Sequence, residues 1–247
     1  MSEPMEQRIL VGTVGYPIAP GLFADDVDCI EMTGAKYIPP GRKTAVHERS
    51  GLPSPVECTV QVSRYFASPP PSEASLRGDI RAYGDFQVND ETRDLWKRQR
   101  EYALALSARM LVLLTPPEIT PSASRLAAMS SFLKEMDRDG IAIVWEPRGP
   151  WSAGQIRQFA QAHDLVVAVD PLRDAVPQGD VAYLRFGPFS SSGSRMGTYE
   201  LEQIADAARS CDAATVYCVF DTHRAVDDAR NLRRVLQEEP ADDDFGY

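Results

Sequence analysis

Histidine is nearly missing from this chain: three occur in 247 residues. They are His47, His163 and His223; no H-x-x-x-H spacing exists, and the one His-Glu step, His47-Glu48, has no second histidine near it. A zinc site built on imidazoles is therefore not expected. Cysteine is scarce as well. Cys29, Cys58, Cys211 and Cys218 form no C-x-x-C pair, and all but Cys211 lie in apolar runs that suit small core residues. No apolar run approaches the roughly 20 residues that a membrane span requires. Residues 1–8 are polar and lack the apolar stretch of a signal peptide. These absences lead to the expectation of a cytoplasmic chain with reduced thiols and no membrane partner. Basic charge is also in deficit, with 26 Lys and Arg against 36 Asp and Glu, a formal net charge of -10. Such a surface repels phosphate backbones, so nucleic acid is a disfavoured partner, although a local basic cleft stays open. No G-x-S-x-G is present, and Gly12-x-x-Gly15 reads as a tight turn after a strand, because no third glycine follows.

What the chain does contain is short apolar segments. Eight can be counted: 9–13, 28–32, 57–62, 110–114, 141–145, 165–169, 181–186 and 215–220. They are rich in Val, Ile and Leu, and most are bounded by Gly, Pro, Asp or Ser. Near-continuous apolar character suits strands covered on both faces, as in a parallel sheet. Helical patterns lie between the later runs, at 91–107, 122–138, 152–163, 198–209 and 224–238. The second carries Leu126, Met129, Phe132, Leu133 and Met136 on one face, with Gly140 as its stop signal. Ser152 reads as the cap of the third. Strand–helix alternation with eight strands predicts an α/β fold, a single (β/α)8 TIM-type barrel over residues 9–236. Residues 1–8 and the acidic stretch 237–247 are expected to be flexible ends. Prolines at 17 and 20 make the first connection irregular, 39–55 is polar, and Ala67-Ser-Pro-Pro-Pro-Ser72 reads as a stiff loop leading to a helix near Glu73.

The most informative stretch is Ile141-Ala-Ile-Val-Trp-Glu-Pro-Arg-Gly-Pro-Trp151. An apolar strand runs into Glu146 and Arg148, held between two prolines and flanked by two tryptophans. Charges beside a core are costly unless they pair or do chemistry, and strand exits are where barrel enzymes build their sites. By the same logic one rim collects Thr13, Glu31, Gln61, Arg64, Thr115, Glu146, Arg148, Asp170, Arg173, Arg185, Asp221 and His223. Glu31 and Glu146, roughly opposed around the ring, are candidates for an acid–base pair, with Asp170 a third catalytic candidate. The plain alternative is that each glutamate is neutralised by Arg148 or Arg185. Arg148 and Arg185 could clamp a carboxylate or phosphate, with Gln61, Arg64 and Asp221 as further ligand-binding candidates. Asp170 and Asp221 could join a glutamate around a divalent cation, but no metal is indicated, and an Asp before Pro171 is more simply a turn former. His223 suits a base or a helix cap. The loop Ser190–Ser194 reads as a lid or as disorder.

Several segments resemble the domain-of-unknown-function family number 72, the YecE-like family, and the matches run along nearly the whole chain. Gly12-Thr-Val-Gly-Tyr16 is similar to its Gly-Thr-x-Gly-Trp/Tyr opening. Ile30-Glu-Met32 with Tyr37-Ile-Pro-Pro40, Thr59–Arg64, Leu114-Thr-Pro-Pro117 and Tyr183-Leu-Arg185 resemble later segments. Trp145-Glu-Pro-Arg-Gly149 is the strongest match, and Phe220-Asp-Thr222 with Ala229-Arg-Asn231 resembles the closing one. The resemblance implies a (β/α)8 barrel and no established activity. The sequence departs from the family pattern at Thr33–Lys36, at Gln61 for Lys, at Leu114 for Gln, at Asp221-Thr222 for Asn-Asn, and in lacking a His after Arg185.

Three functional readings remain. The first is an acid–base enzyme of hydrolase or lyase type, acting on a small polar or phosphorylated metabolite, using Glu31, Glu146 and Asp170 with Arg148 and Arg185 orienting. The second is a non-catalytic protein that binds a nucleotide or nucleic-acid end through Arg64, Arg148, Arg173, Arg185 and Arg195. The third is a barrel that has lost an ancestral activity. The sequence gives neither the cofactor nor the oligomeric state.

Overall fold

The structure is a computed structural model that describes residues 7–187 and 196–238. Eight strands form a closed, all-parallel ring in chain order. They are β1 (Arg8–Val14), β2 (Cys29–Met32), β3 (Glu57–Gln61), β4 (Met110–Thr115), β5 (Ala142–Pro147), β6 (Leu165–Val169), β7 (Val181–Phe186) and β8 (Thr215–Phe220). Among the described residues six helices pack outside: α1 (Arg42–Ser50), α2 (Asp90–Ala105), α3 (Ala123–Glu135), α4 (Ala153–His163), α5 (Thr198–Ser210) and α6 (Ala225–Gln237). The expected (β/α)8 barrel is therefore present. The expected flexible ends and the Ser190–Ser194 loop fall largely or wholly outside the described residues.

The irregular first connection is also present: two short 3-10 turns, Pro20–Leu22 and Ala24–Asp26, stand between β1 and β2 in place of a helix. The second connection, read from the sequence only as polar, contains α1. That helix buries Ala45 alone, so it carries no apolar stripe for a periodicity argument to find. No helix forms near Glu73; the chain there makes turns up to a 3-10 turn at Ile80–Ala82. Between β6 and β7 no helix forms at all.

Helix ends follow local chemistry. The Asn89 side chain accepts from Thr92 N at 2.9 Å while Thr92 Oγ1 accepts from Asn89 N at 3.1 Å, a reciprocal capping box that starts α2. Ser152 and Gln155 do the same for α4, as the Ser152 cap predicts. Gly140 does not stop α3, which ends at Glu135; it follows Asp139 in a left-handed turn (φ 77° and 48°) leading into β5.

Two cores result. Inside the ring lie Leu10, Cys29, Met110, Val112, Val144, Ala168, Tyr183, Tyr217 and Val219. Between ring and helices lies a larger core, where Phe66, Phe86 and Trp96 pack around Phe132. The floor of the ring is closed by Glu57, whose carboxylate accepts from Tyr217 OH at 2.5 Å and from Arg8 Nη2 at 2.9 Å. Gly12 lies within β1, not in a turn after it, and faces Cys29 across the register. A Cβ there would stand 1.9 Å from the Cys29 carbonyl oxygen, so only glycine permits this approach of β1 to β2.

Candidate functional site

Side chains alternate between the two faces of a strand. On β7, Tyr183 and Arg185 share one parity and point into the ring; Glu31 on β2, Thr59 and Gln61 on β3, Glu146 on β5 and Asp221 just past β8 also do so. At the carboxyl ends of the strands they meet. Arg185 is the hub, 4% exposed. Its Nε stands 3.0 Å from Glu31 Oε2 and its Nη2 3.1 Å from Glu31 Oε1, a two-pronged pair. Nη2 also donates to Asp221 Oδ2 at 3.0 Å, and Nη1 lies 2.9 Å from Glu146 Oε2. Glu31 is fully buried and takes two further donors, Gln61 Nε2 at 2.5 Å and Tyr183 OH at 2.9 Å. Tyr183 OH is 3.1 Å from Thr59 Oγ1. Glu146 accepts from Arg148 Nε at 2.7 Å through its other oxygen.

Glu146 and Arg148 occupy their places through the stretch singled out in the sequence. Trp145 is fully buried and donates to Thr115 Oγ1 at 3.3 Å, and Thr115 Oγ1 in turn donates to the Glu146 carbonyl at 3.3 Å. The Trp145 ring meets Trp151 edge-on at 5.0 Å. Gly149 takes φ +98°, and a Cβ there would sit 2.6 Å from the Pro117 carbonyl oxygen. The turn that follows the strand is thereby pressed against the β4–α3 loop.

The electrostatics are those of a paired network. Burial alone would raise the Glu31 pKa, but the Arg185 charge and the hydrogen bonds from Arg185, Gln61 and Tyr183 outweigh it and hold the carboxyl below its ordinary value. Burial would lower the Arg185 pKa, but Glu31 and Glu146 push it well upward instead. Burial, then Glu31, raises Tyr183, which stays a phenol and a donor. A carboxyl whose folded pKa is depressed stabilises the fold above the unfolded value, about 4.3 for Glu, and that stabilisation is lost as pH falls through the folded pKa. Urea midpoints measured on acidification should therefore fall more steeply below about pH 4.3 in the wild type than in Glu31→Gln. Equal slopes would show that Glu31 is not held ionised by this network.

The sequence-derived rim is gathered in part. Glu31, Gln61, Glu146, Arg148, Arg185 and Asp221 form one cluster, and the plain alternative for the glutamates, neutralisation by Arg148 and Arg185, is what the contacts show. Arg64 is a correction. It begins a 3-10 turn after β3 and lays its guanidinium over the Tyr37 ring, 5.8 Å from its centre, since the residue after Ser63 has left the ring's inward parity. Asp170 is a second correction. Its Oδ1 accepts from Leu172 N at 3.1 Å and its carboxylate faces Arg173 at 3.7 Å, so it shapes the turn after β6 and contacts none of the Arg185 cluster. His223 is exposed and caps no helix; the N-cap of α6 is Arg224, which makes no side-chain capping bond. Arg185 already faces three carboxylates, whose charge opposes a further anion. Sequence reasoning missed Tyr183 and Thr59, although counting back two residues from Arg185 and Gln61 finds both.

Among the described residues no group of three or more His, Cys, Asp or Glu is disposed to hold a metal ion. The charge on which Glu31, Glu146 and Asp221 converge is the guanidinium itself. Among the same residues no helix is long and apolar enough to cross a membrane.

No family model and no curated protein matches the sequence. Solved structures do. A DUF72 family protein from Enterococcus faecalis V583 superposes with a TM-score of 0.71 at 13% identity, over 94% of this chain and 96% of that one. One from Thermotoga maritima MSB8 gives 0.67 at 14% identity, over 94% and 100%. The chain has the fold of the DUF72 proteins. The family resemblance read from the sequence motifs and these structural neighbours thus point the same way. A xylose isomerase domain containing protein from Salmonella typhimurium LT2 lies further off, at a TM-score of 0.53 and 13% identity, over 96% and 100%.

Proposed function

We propose that this chain is a divergent DUF72 protein working as an acid–base enzyme, of hydrolase or lyase type, on a small polar molecule at the carboxyl mouth of the barrel. One observation carries the reading: three carboxylates from separate strands converge on a single buried arginine, and two of them reach the mouth. The Glu146 side chain is 20% exposed and that of Asp221 36%, while Glu31 is 0% exposed. Glu146 and Asp221 are the proton-transfer pair, held apart and oriented by Arg185. Glu31 has both oxygens filled and serves as framework, with Arg185 and Tyr183. Buried ion networks seldom stabilise a fold more than apolar packing would. The remaining layers of this lumen are mostly apolar, so the network's concentration at the mouth favours a chemical role.

A phosphorylated substrate is less favoured than an uncharged one. Glu31, Glu146 and Asp221 outnumber Arg185 and Arg148, and a phosphate drawn to Arg185 would face those carboxylates. The nucleic-acid reading loses support for the same reason, since Arg148 and Arg185 face acids and Arg64 lies on Tyr37.

Glu146→Gln preserves shape and removes the proton-transfer capacity. On any substrate found by screening metabolites for turnover, it should reduce kcat by about 10²–10⁴-fold while the thermal midpoint changes little. Wild-type turnover in both Glu146→Gln and Asp221→Asn would overturn the assignment, as would an absence of turnover across neutral, acidic and phosphorylated substrates.

A further inference from the structure

Three polar atoms in the cluster are buried and have no directed hydrogen-bond partner among the described residues: Gln61 Oε1, Glu146 Oε2 and Arg185 Nη1. Gln61 is 3% exposed and Arg185 4%. The Gln61 amide cannot be turned to hide its oxygen. Glu31 is an ionised carboxylate and only accepts, so Gln61 must present its nitrogen there, and Oε1 is left facing elsewhere. Glu146 Oε2 and Arg185 Nη1 lie 2.9 Å apart, close enough for charge attraction but out of line for a hydrogen bond. Buried polar atoms without partners cost stability, and their presence in one cluster calls for a group that satisfies them.

We propose that these atoms form a subsite for a hydroxyl group of a neutral polyhydroxylated ligand, a sugar or cyclic polyol, and that Gln61 determines this specificity. The inference rests on the acid–base reading of the mouth and names its substrate class. The donor and acceptor inventory decides it. Two atoms accept and one donates. A phosphate or carboxylate oxygen accepts from Arg185 Nη1 but is repelled by Gln61 Oε1 and Glu146 Oε2. An ammonium donates to those two oxygens but opposes the guanidinium. A hydroxyl donates and accepts, and neighbouring hydroxyls on one carbon skeleton serve all three atoms without bringing charge into an already charged site.

The test is titration calorimetry on the full chain with myo-inositol, methyl α-glucoside and xylose as neutral probes, inorganic phosphate as the anion, and methylammonium as the cation. At least one neutral probe should bind saturably, with phosphate and methylammonium silent at the same concentration. Gln61→Met should weaken that binding by about tenfold. Glu146→Gln, which keeps the side chain's shape, should weaken it as well, and decides the matter if Gln61→Met fails to fold. Tighter binding of phosphate or methylammonium than of any polyol overturns the proposal. So does binding of no polyol, which would mean that water alone fills the subsite, or wild-type affinity in both variants. A polyol that binds but is never turned over sinks the catalytic reading and leaves the subsite standing; turnover of a substrate without hydroxyls does the reverse.

Discussion

Replacing Arg185 with Met is expected to cost about 3–5 kcal/mol of folding stability. The guanidinium is the partner of the fully buried Glu31 and a contact of Glu146 and Asp221. Its removal leaves Glu31 with Gln61 and Tyr183 as neutral donors and no opposing charge. Glu31 then meets burial unopposed by a cation, and its carboxyl takes up a proton at higher pH than before. Two measurements follow. Urea unfolding at pH 7 should show the loss, and mild acidification should return part of it in the variant while doing nothing comparable for the wild type. The double replacement Arg185→Met with Glu31→Gln should recover much of the deficit, because the stranded charge is gone. A loss below about 1 kcal/mol, the range of exposed ion pairs, would mean that the network is solvated and not a buried hub.

The second large effect is expected at Gly12. The added methyl of Gly12→Ala would lie 1.9 Å from the Cys29 carbonyl oxygen and 2.6 Å from its Sγ, and the nearer obstacle is backbone in a paired strand. Side-chain rotation cannot relieve it. Overpacking typically costs about 1–3 kcal/mol and occasionally more, and a clash with the backbone of a paired strand belongs at or above the upper end. The thermal midpoint should fall sharply, and the Cys29 thiol, now 1% exposed, should become reactive to thiol reagents as β1 and β2 separate. Gly154→Ala is the control. It lies in α4 with nothing within 4 Å of its would-be Cβ, and the change should stabilise by up to about 1 kcal/mol. A Gly12→Ala protein as stable as this control would contradict the packing described.

The strands were legible because a parallel barrel buries both faces of each strand. Leu165–Val169, Val181–Phe186 and Thr215–Phe220 coincide with their apolar runs residue for residue. Helix α1 was not legible, since it rests on a single buried alanine and its other residues are largely polar. The site was legible in its strand-end members, Glu31, Gln61, Glu146, Arg185 and Asp221, because inward parity and a shared end of the ring suffice to bring them together. Past a strand end turn geometry can override parity: Asp221, one residue beyond β8, keeps the inward direction, whereas Arg64 and Asp170 do not. Arg64 follows Ser63, which accepts from Tyr65 N, and the side chain leaves for Tyr37. Asp170 precedes Pro171 and turns back onto Leu172 N. What pattern reading could not supply was stoichiometry. Two arginines and three acids read equally well as a clamp for an anion or as a set of internal ion pairs, and only the contacts of Arg185 decide between them.

The pairing of β8 with both β7 and β1 carries a consequence for biosynthesis. Residues Thr215–Phe220 align with Val181–Phe186 on one side and Arg8–Thr13 on the other. Until that last ribbon emerges from the ribosome, the first and seventh both present unsatisfied amides and carbonyls, ready to capture a neighbouring nascent chain. A polypeptide cut short by a premature stop before Thr215 is therefore a sticky species that demands chaperone shelter, whereas the finished ring offers no such seam.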